Sequence, residues 1–410
     1  MNERDFVKQK FAEYYKKNIK QIHPPASIGK REFGFVLFEE KMMVRHKGFR
    51  TEDNFRSYLA SLAPSNVYYS SAYYERPEEP MEKKGWLGAD LIFDIDADHM
   101  ETPCKSGHEY WICEPCQNAV KGMPPEVCPR CGGSKFKEEP WLCETCLETA
   151  KKEIQKLVEF LVNDLGFQQE EIEICFSGQR GYHACVSNIE IQQIDQTARK
   201  EIVDYISGTG LNPELYGWMA TGHGKELTGR DLNDPGWYGR VAKGVYGVIS
   251  SYTPQQMEQI GIKKAAVRAL VANRDFILRN WSSTTNWRTV KGVEGKVWSQ
   301  IIEHVINKRR VGAVVDSVVT TDTHRLIRLP FSLHGKTGLM AVKVPADSLD
   351  RFDPLRESVA FMEGALKIRV NEAHRFRIGD EEYGPYDGET VTLPMAAAVY
   401  LLCKRAATLA

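Results

Sequence analysis

The sequence predicts an α+β protein, with a mixed β-sheet core flanked by helices and divided by two insertions. Three observations predict this class. Short runs rich in β-branched and aromatic residues crowd the first half, helical periodicity takes over across 188–310, and strand-like runs return beyond it. Residues 1–187 and 311–410 are therefore read as two parts of one core, and 188–310 as a mostly helical subdomain inserted between them. The cysteine-rich stretch 101–146 is a smaller insertion within the first part.

The elements follow in order. Residues 3–18 are spaced as an amphipathic helix with Phe6, Val7, Phe11, Tyr14 and Tyr15 on one face. FGFVLF (33–38), VYYSSAYY (67–74) and DLIFDI (90–95) are strands by composition. Segment 101–146 has little periodicity and reads as an irregular insertion organised by metal. From 147 to 165, Leu147, Ala150, Ile154, Leu157, Val158, Leu161, Val162 and Leu165 keep helical spacing, and Gly166 is placed to end that helix. Strands EIEICF (171–176) and YHACV (182–186) are joined by the loop SGQRG. The helical stretch that follows is broken by LNPELYGWMATGHG and NDPGWYG. Strand patterns resume at 311–319, 340–344 and 367–370, and a helix at about 394–409 closes the chain behind Pro394.

Charge and composition bound the function. Lys plus Arg number 54 and Asp plus Glu 55, a net charge of −1 that excludes a uniformly basic nucleic-acid binder and an acidic disordered tail. No run approaches the ~20 apolar residues of a membrane span, and MNERDFVKQK lacks the apolar stretch of a secretory signal. The expectation is a soluble cytoplasmic protein with no membrane contact. Ten cysteines are present, and seven of them lie between 104 and 146. Six of those seven form C-x-x-C pairs, which in a chain without a signal peptide point to metal rather than disulfides.

Three segments carry candidate chemistry. In LIFDIDADH, Asp94 and Asp96 stand two apart on an apolar strand and so share a face. Adjacent carboxylates repel unless a cation lies between them, and hard divalent ions take carboxylate and phosphate oxygens together. The pair suits two-metal phosphoryl or nucleotidyl transfer; the alternative is a strand running out into a solvated acidic turn, since Asp98 and His99 follow. In Ser177-Gly178-Gln179-Arg180-Gly181-Tyr182-His183 the glycines let backbone N–H groups approach a phosphate, and Arg180 offers a planar fork. Taken alone, this reads first as an ordinary hairpin turn with a surface arginine; beside a strand carrying D-x-D it reads as a triphosphate cradle. The segment 316–338, DSVVTTDTHRLIRLPFSLHGKTG, opens with a third carboxylate at Asp316. Arg325, Arg328, His334 and Lys336 follow, either as a triphosphate cradle or as a polar loop capping a sheet.

Together these segments resemble the catalytic small subunit of the archaeal and eukaryotic DNA primases, most closely the archaeal form. FDID is similar to the family's metal-binding aspartates, SGQRGYH to its SG-RG-x-H motif and RLIRLPFSLHGKTG to its nucleotide-binding motif. REFGFVLF…MMVRHKGF, YYSSAYYERP and GWLGADLIFDIDADH extend the likeness through the first hundred residues, and AAAVYLLCKRA extends it at the C-terminus. The resemblance implies a catalytic primase core in which Asp94, Asp96 and Asp316 bind Mg²⁺ or Mn²⁺. Asp322 competes with Asp316, which is preferred for its spacing to His334. Ser177, Arg180, His183, Arg328, His334 and Lys336 are implied to contact the phosphates of a nucleoside triphosphate, and Gln179 receives no role. The implied partners are a single-stranded DNA template and a primase large subunit in a heterodimer.

The resemblance also implies a zinc knuckle near the FDID strand, formed by Cys104, His108, Cys143 and Cys146. Cys113-x-x-Cys116 and Cys128-x-x-Cys131 lie between them, and CPRCGG is a typical knuckle turn. Eight such ligands make two closed tetrahedral Zn²⁺ sites of structural type. A cross-braced pairing, with Cys104 and His108 joined to Cys128 and Cys131, stays open. Residues 263–310 hold eleven Lys or Arg (263, 264, 268, 274, 279, 288, 291, 296, 308, 309, 310) against three acids, interleaved with Trp281, Trp287 and Trp298. That pattern suits single-stranded template binding, or equally a solvated helix face over core tryptophans. Two other functions compete with replicative priming. One is a zinc-ribbon assembly subunit with a decayed site, against which the intact motifs argue. The other is a repair polymerase, against which the zinc segment and N-terminal motifs argue.

Overall fold

The computed structural model describes residues 1–39, 43–100, 102, 104, 107, 110–116, 119–122, 124–139, 141–213, 231–281, 290, 292–307 and 311–410. The chain divides into two compact units, Met1–Ile154 with Gln169–Lys200 and Val315–Ala410, and Gln155–Gln168 with Glu201–Val314.

The first unit is built on two four-stranded sheets. Helix α1 (Glu3–Asn18) is capped by Asn2, whose side chain accepts from the Asp5 N–H at 2.9 Å. It buries Phe6, Val7, Phe11, Tyr14 and Tyr15, the face its spacing predicts. Strands β1 (Phe33–Val36), β2 (Met43–Lys47) and β3 (Asn66–Ser70), with helix α2 (Glu52–Leu62) between the last two, lead to β4 (Ala72–Tyr74), β5 (Trp86–Ala89) and β6 (Leu91–Asp96). The run 67–74 is thus two strands. The Ser70 hydroxyl donates to the Ala72 carbonyl, a local bond that breaks the ladder; β3 then pairs with β1, and β4 with β5.

Segment 101–146 is more regular than its sequence suggests. Strands β7 (Tyr110–Cys113), β8 (Ala119–Lys121) and β9 (Phe136–Glu139) form a sheet in the order β8-β7-β9, each strand too short to display a period. Helix α3 (Glu144–Glu159) starts three residues earlier than 147, continues as a π-helical turn over Phe160–Asp164, and stops at Gly166 with φ +77°.

The hairpin β10 (Ile172–Phe176) and β11 (Gly181–Val186) returns the chain to the second sheet, ordered β13-β10-β11-β6 with β13 at Val342–Val344. The first sheet is ordered β12-β3-β1-β2 with β12 at Leu326–Arg328. A mixed sheet was expected, yet every strand pairing among the described residues is antiparallel. The return strand of the hairpin, β11, slots between β10 and β6 and runs opposite to both.

Two late expectations are also corrected. Residues 311–319 form no strand. The Asp316 carboxylate accepts from the Val318 and Val319 N–H groups and turns the valine-rich run into a short helix, Ser317–Thr321. The closing helix spans only Met395–Cys403; the chain reverses at Arg405 (φ +57°), and Ala407–Leu409 then pairs with β14 (Ala365–Val370).

The second unit forms only helices, joined by turns, among its described residues. Gly236–Ser251 packs against Gly295–Asn307, burying Val241, Val245, Val248 and Ile249 on one helix and Trp298, Ile301, Ile302 and Val305 on the other. Arg240 pairs with Asp164 at 2.8 Å and lies 3.5 Å from the Phe160 ring centroid. Among the described residues no helix is long and apolar enough to cross a membrane.

Candidate active site

The site is organised by the β6/β11 register. Asp94 and Asp96 alternate with buried Phe93 and Ile95, so both carboxylates leave the core on the same face. His183 lies opposite Asp94 in the ladder, and its Nδ1 is 2.9 Å from Asp94 Oδ1. Burial pushes the Asp94 carboxyl up, but His183, with Arg325 and His99, outweighs burial and holds it below its ordinary value. Asp96 moves the other way, raised by burial and by the charge of Asp94. Asp96 Oδ1 accepts from the Asp98 N–H at 2.9 Å, and Asp98 in turn pairs with Arg180. Arg180 is only 2% exposed, and burial lowers its guanidinium to about 10 although Asp96 opposes the shift. Its side chain therefore faces Asp96 and Asp98 rather than open solvent.

Asp316 reaches the same place through the backbone: its N–H donates to the Asp94 carbonyl at 2.9 Å. Asp322 stands at the opposite end of the short helix, accepting from the His324 N–H at 2.9 Å. Each of the three aspartates keeps a local partner: Asp94 has His183, Asp96 the Asp98 amide and Asp316 its own helix N-terminus. Among the described residues, only cysteine groups bring three or more ligand atoms within 4.8 Å of one another.

The glycine turn and the third motif meet. Ser177 Oγ accepts from the Gln179 and Gly181 N–H groups, both at 3.3 Å, so the side chain ties the turn together. Gly178 takes φ +80°, and a Cβ there would come within 3.0 Å of the His334 Cβ. Thr337 Oγ1 donates to the Gly178 carbonyl at 2.6 Å. The 333–340 loop is closed by His334 N–H to Leu339 O and Gly338 N–H to His334 O, both 2.8 Å, and Tyr15 of α1 braces it at the Leu333 N–H. Burial, reinforced by Arg328, Lys404, Lys336 and His183, lowers His334 well below its ordinary value and leaves it neutral. Its Nδ1 accepts from the Lys336 N–H at 3.2 Å, so the proton resides on Nε2. Arg328 is held by Asn66 Oδ1 and the Tyr68 hydroxyl, each at 2.8 Å, while Lys336 is exposed.

The cysteines sort into two groups, Cys113, Cys116, Cys128 and Cys131, and Cys104, Cys143 and Cys146. Sulfur separations are 3.5 Å for Cys113–Cys131, 3.7 Å for Cys116–Cys128 and 3.5 Å for Cys104–Cys146. A tetrahedral ion with metal–sulfur bonds of ~2.3 Å sets sulfurs roughly 3.8 Å apart, so the spacing fits one. His108, the expected fourth ligand of the second group, lies outside the described residues.

A family model described as DNA primase small subunit matches residues 133–346. Proteins named DNA primase small subunit PriS are 32% identical in Nitrosopumilus maritimus and 33% in Cenarchaeum symbiosum, each over 412 residues covering 100% of both chains. One from Archaeoglobus fulgidus is 34% identical over 404 residues, 97% of this chain and 96% of its own. The chain belongs to the DNA primase small subunit family.

Part of the basic segment of this primase subunit can be placed. Lys263, Lys264, Arg268, Arg279 and Lys296 are exposed on the helical unit, whereas Arg274 donates to the Tyr252 carbonyl at 2.6 Å. Arg288, Lys291, Lys308, Arg309, Arg310 and Trp287 lie outside the described residues. Trp298 is fully buried and cannot stack on a base, and Trp281 meets Tyr246 edge-on at 5.3 Å. Sequence spacing missed Asp98, Asn66, Tyr68 and Thr337 because each acts on a group it meets only through the fold. Arg325 was visible as a basic residue, but its effect on Asp94 was not.

Proposed function

We propose that the chain primes DNA replication in the cytoplasm by joining nucleoside triphosphates on a single-stranded DNA template, with Asp94, Asp96 and Asp316 as its catalytic carboxylates. The observation that carries this reading is the bond from the Asp316 amide to the Asp94 carbonyl. It joins two distant segments at the sheet end where the glycine turn and the 333–340 loop meet.

Hard oxygen donors of this kind suit Mg²⁺ or Mn²⁺. Such ions, when bound, make the attacking 3′-hydroxyl more acidic and neutralise the departing pyrophosphate. The chain's own groups do the rest. Arg328 and Lys336 supply positive charge to the triphosphate, and neutral His334 donates from Nε2 without adding charge. His183 on β11 beside Asp94 and Ser177 in the glycine turn are assigned to the same phosphates, while buried Arg180 balances the Asp96–Asp98 pair. Asp316 is preferred to Asp322 because only Asp316 is bonded to the strand that carries Asp94.

The sulfur groups suit Zn²⁺ in closed, structural tetrahedra, with His108 completing the group of Cys104, Cys143 and Cys146. The exposed lysines and arginines of the helical unit suit template phosphates, and a primase large subunit completes the enzyme. The test is primer synthesis on single-stranded DNA with Mg²⁺ or Mn²⁺. Asp94→Ala/Asp96→Ala should lose at least about a thousandfold, since metal-borne charge stabilisation amounts to several kcal/mol. Equal product from both proteins overturns the reading.

A further inference from the structure

A single side-chain oxygen links two of the groups assigned to the triphosphate. Asn66 opens β3, on the strand next to β12 in the first sheet. Its Oδ1 accepts from Arg328 Nη1 at 2.8 Å and from the backbone N–H of Gly335 at 3.0 Å. The orientation of the amide is fixed from the other side, because Nδ2 donates to Ser65 Oγ at 3.2 Å and Ser65 Oγ donates to the Val36 carbonyl at 2.9 Å. Gly335 is drawn so close that a Cβ there would lie 3.0 Å from the Ser65 Cβ and 3.1 Å from Asn66 Nδ2. Glycine at 335 and asparagine at 66 therefore belong to one contact. Tyr68, two residues along the same strand, holds the other arm of the Arg328 fork at 2.8 Å and stacks its ring 4.8 Å from the guanidinium carbon.

We propose that Asn66 is a positioning residue for nucleoside triphosphate binding, setting the separation between the Arg328 guanidinium and the loop that presents His334 and Lys336. The argument rests on the reading of those three residues as phosphate contacts. Arg328 sits on a strand and Lys336 on a loop, and nothing in their own covalent geometry keeps them at a constant distance. One oxygen shared between the cation and the Gly335 amide does so. The two phosphate-binding elements are thereby preorganised before substrate arrives, so binding energy is not consumed in bringing them together.

The experiment measures primer synthesis against nucleoside triphosphate concentration for the full-length chain and four variants: Asn66→Ala, Asn66→Ser, Arg328→Ala and the Asn66→Ala/Arg328→Ala double. Each is first checked for an unchanged thermal melting profile. The expected result is a KM raised about tenfold for Asn66→Ala, the scale of losing a hydrogen bond to a charged group, with kcat changed less than about threefold. Asn66→Ser, too short to reach both donors, serves in its place if the alanine variant does not fold, and the same KM rise is expected. The double variant should be little worse than Arg328→Ala alone, since two residues acting through one contact are non-additive. A purely structural Asn66 predicts lower kcat at constant KM, and that outcome overturns the proposal, as does full additivity. If Arg328→Ala raises KM and neither Asn66 variant does, Asn66 alone is refuted. If Arg328→Ala leaves KM unchanged, the phosphate-contact reading fails and takes this proposal with it.

Discussion

The cysteine groups, which could hold metal ions, and the aspartates proposed as catalytic are brought together in opposite ways. In the insertion the ligands are close in sequence. Cys128 and Cys131 sit on one tight turn, closed by Gly132 N–H to Cys128 O at 2.9 Å, and Trp111 and Phe136 pack behind it with ring centroids 5.0 Å apart. At the aspartate end, Asp94 and Asp96 meet Asp316 only after the whole helical insertion has intervened. Thiols, which ionise less readily than carboxylates, crowd to 3.5 Å, whereas each carboxylate is held by a separate donor of its own. A local site is stiff in its ligands, and a long-range site is stiff in its backbone.

Three measurements press on that contrast. The largest effect should come from Asp316→Asn, which keeps the helix cap, since asparagine caps as well as aspartate, and removes only the charge. Primer synthesis should fall about a thousandfold, against less than about threefold for Asp322→Asn; the reverse order would move the third carboxylate to Asp322. Next is metal content. The chain should carry about two zinc ions, and Cys128→Ser should lower that to about one while Asp94→Ala leaves it unchanged. A wild-type value near zero or one would dissolve the two-group reading of the insertion.

The smallest effect concerns how the insertion is anchored. Arg377 forks onto Glu144, beside Cys143, with both bonds at 3.1 Å, and onto Asp353 at 2.8 and 3.1 Å. Burial pushes the Asp353 carboxyl up, but Arg377 outweighs it and holds the carboxyl below its usual value. A lowered carboxylate stabilises the fold above its unfolded pKa of ~3.9 and loses that contribution as pH falls through the folded value. Arg377→Ala should therefore cost no more than about 1 kcal/mol at pH 7, because Glu144 and Asp353 are partly solvated. The difference in thermal midpoint from wild type should shrink as pH falls below the ordinary carboxylate range and Asp353 takes up its proton; a difference that persists in strong acid would locate the stabilisation in packing.

Legibility in the sequence followed the same divide. The buried face of α1, the β10–β11 hairpin and the C-x-x-C pairs are local patterns, and spacing alone placed them. The valine run before and after Asp316 misled because strand propensity there is overridden by one capping carboxylate. The strands of the insertion were invisible because three or four residues cannot show a period. Within the candidate site, Asp94, His183, His334 and Arg328 were named from motifs, while Asn66 lies outside them and Thr337 sits inside RLIRLPFSLHGKTG without a role its spacing could give. Asn66 accepts from Arg328 and from the Gly335 N–H, Thr337 donates to the Gly178 carbonyl, and only the folded chain brings those atoms within reach.

The Asp316–Asp94 backbone bond also orders events in time. A nascent chain carries Asp94, Asp96, the cysteine groups and the glycine turn before Asp316, Arg328 and the 333–340 loop, which follow only once the helical stretch has been translated. On the roles proposed for Asp316, Arg328 and the 333–340 loop, fragments ending within that stretch would lack half of the triphosphate site. On that proposed reading, the strand-starting site is assembled only after the helical stretch has been made.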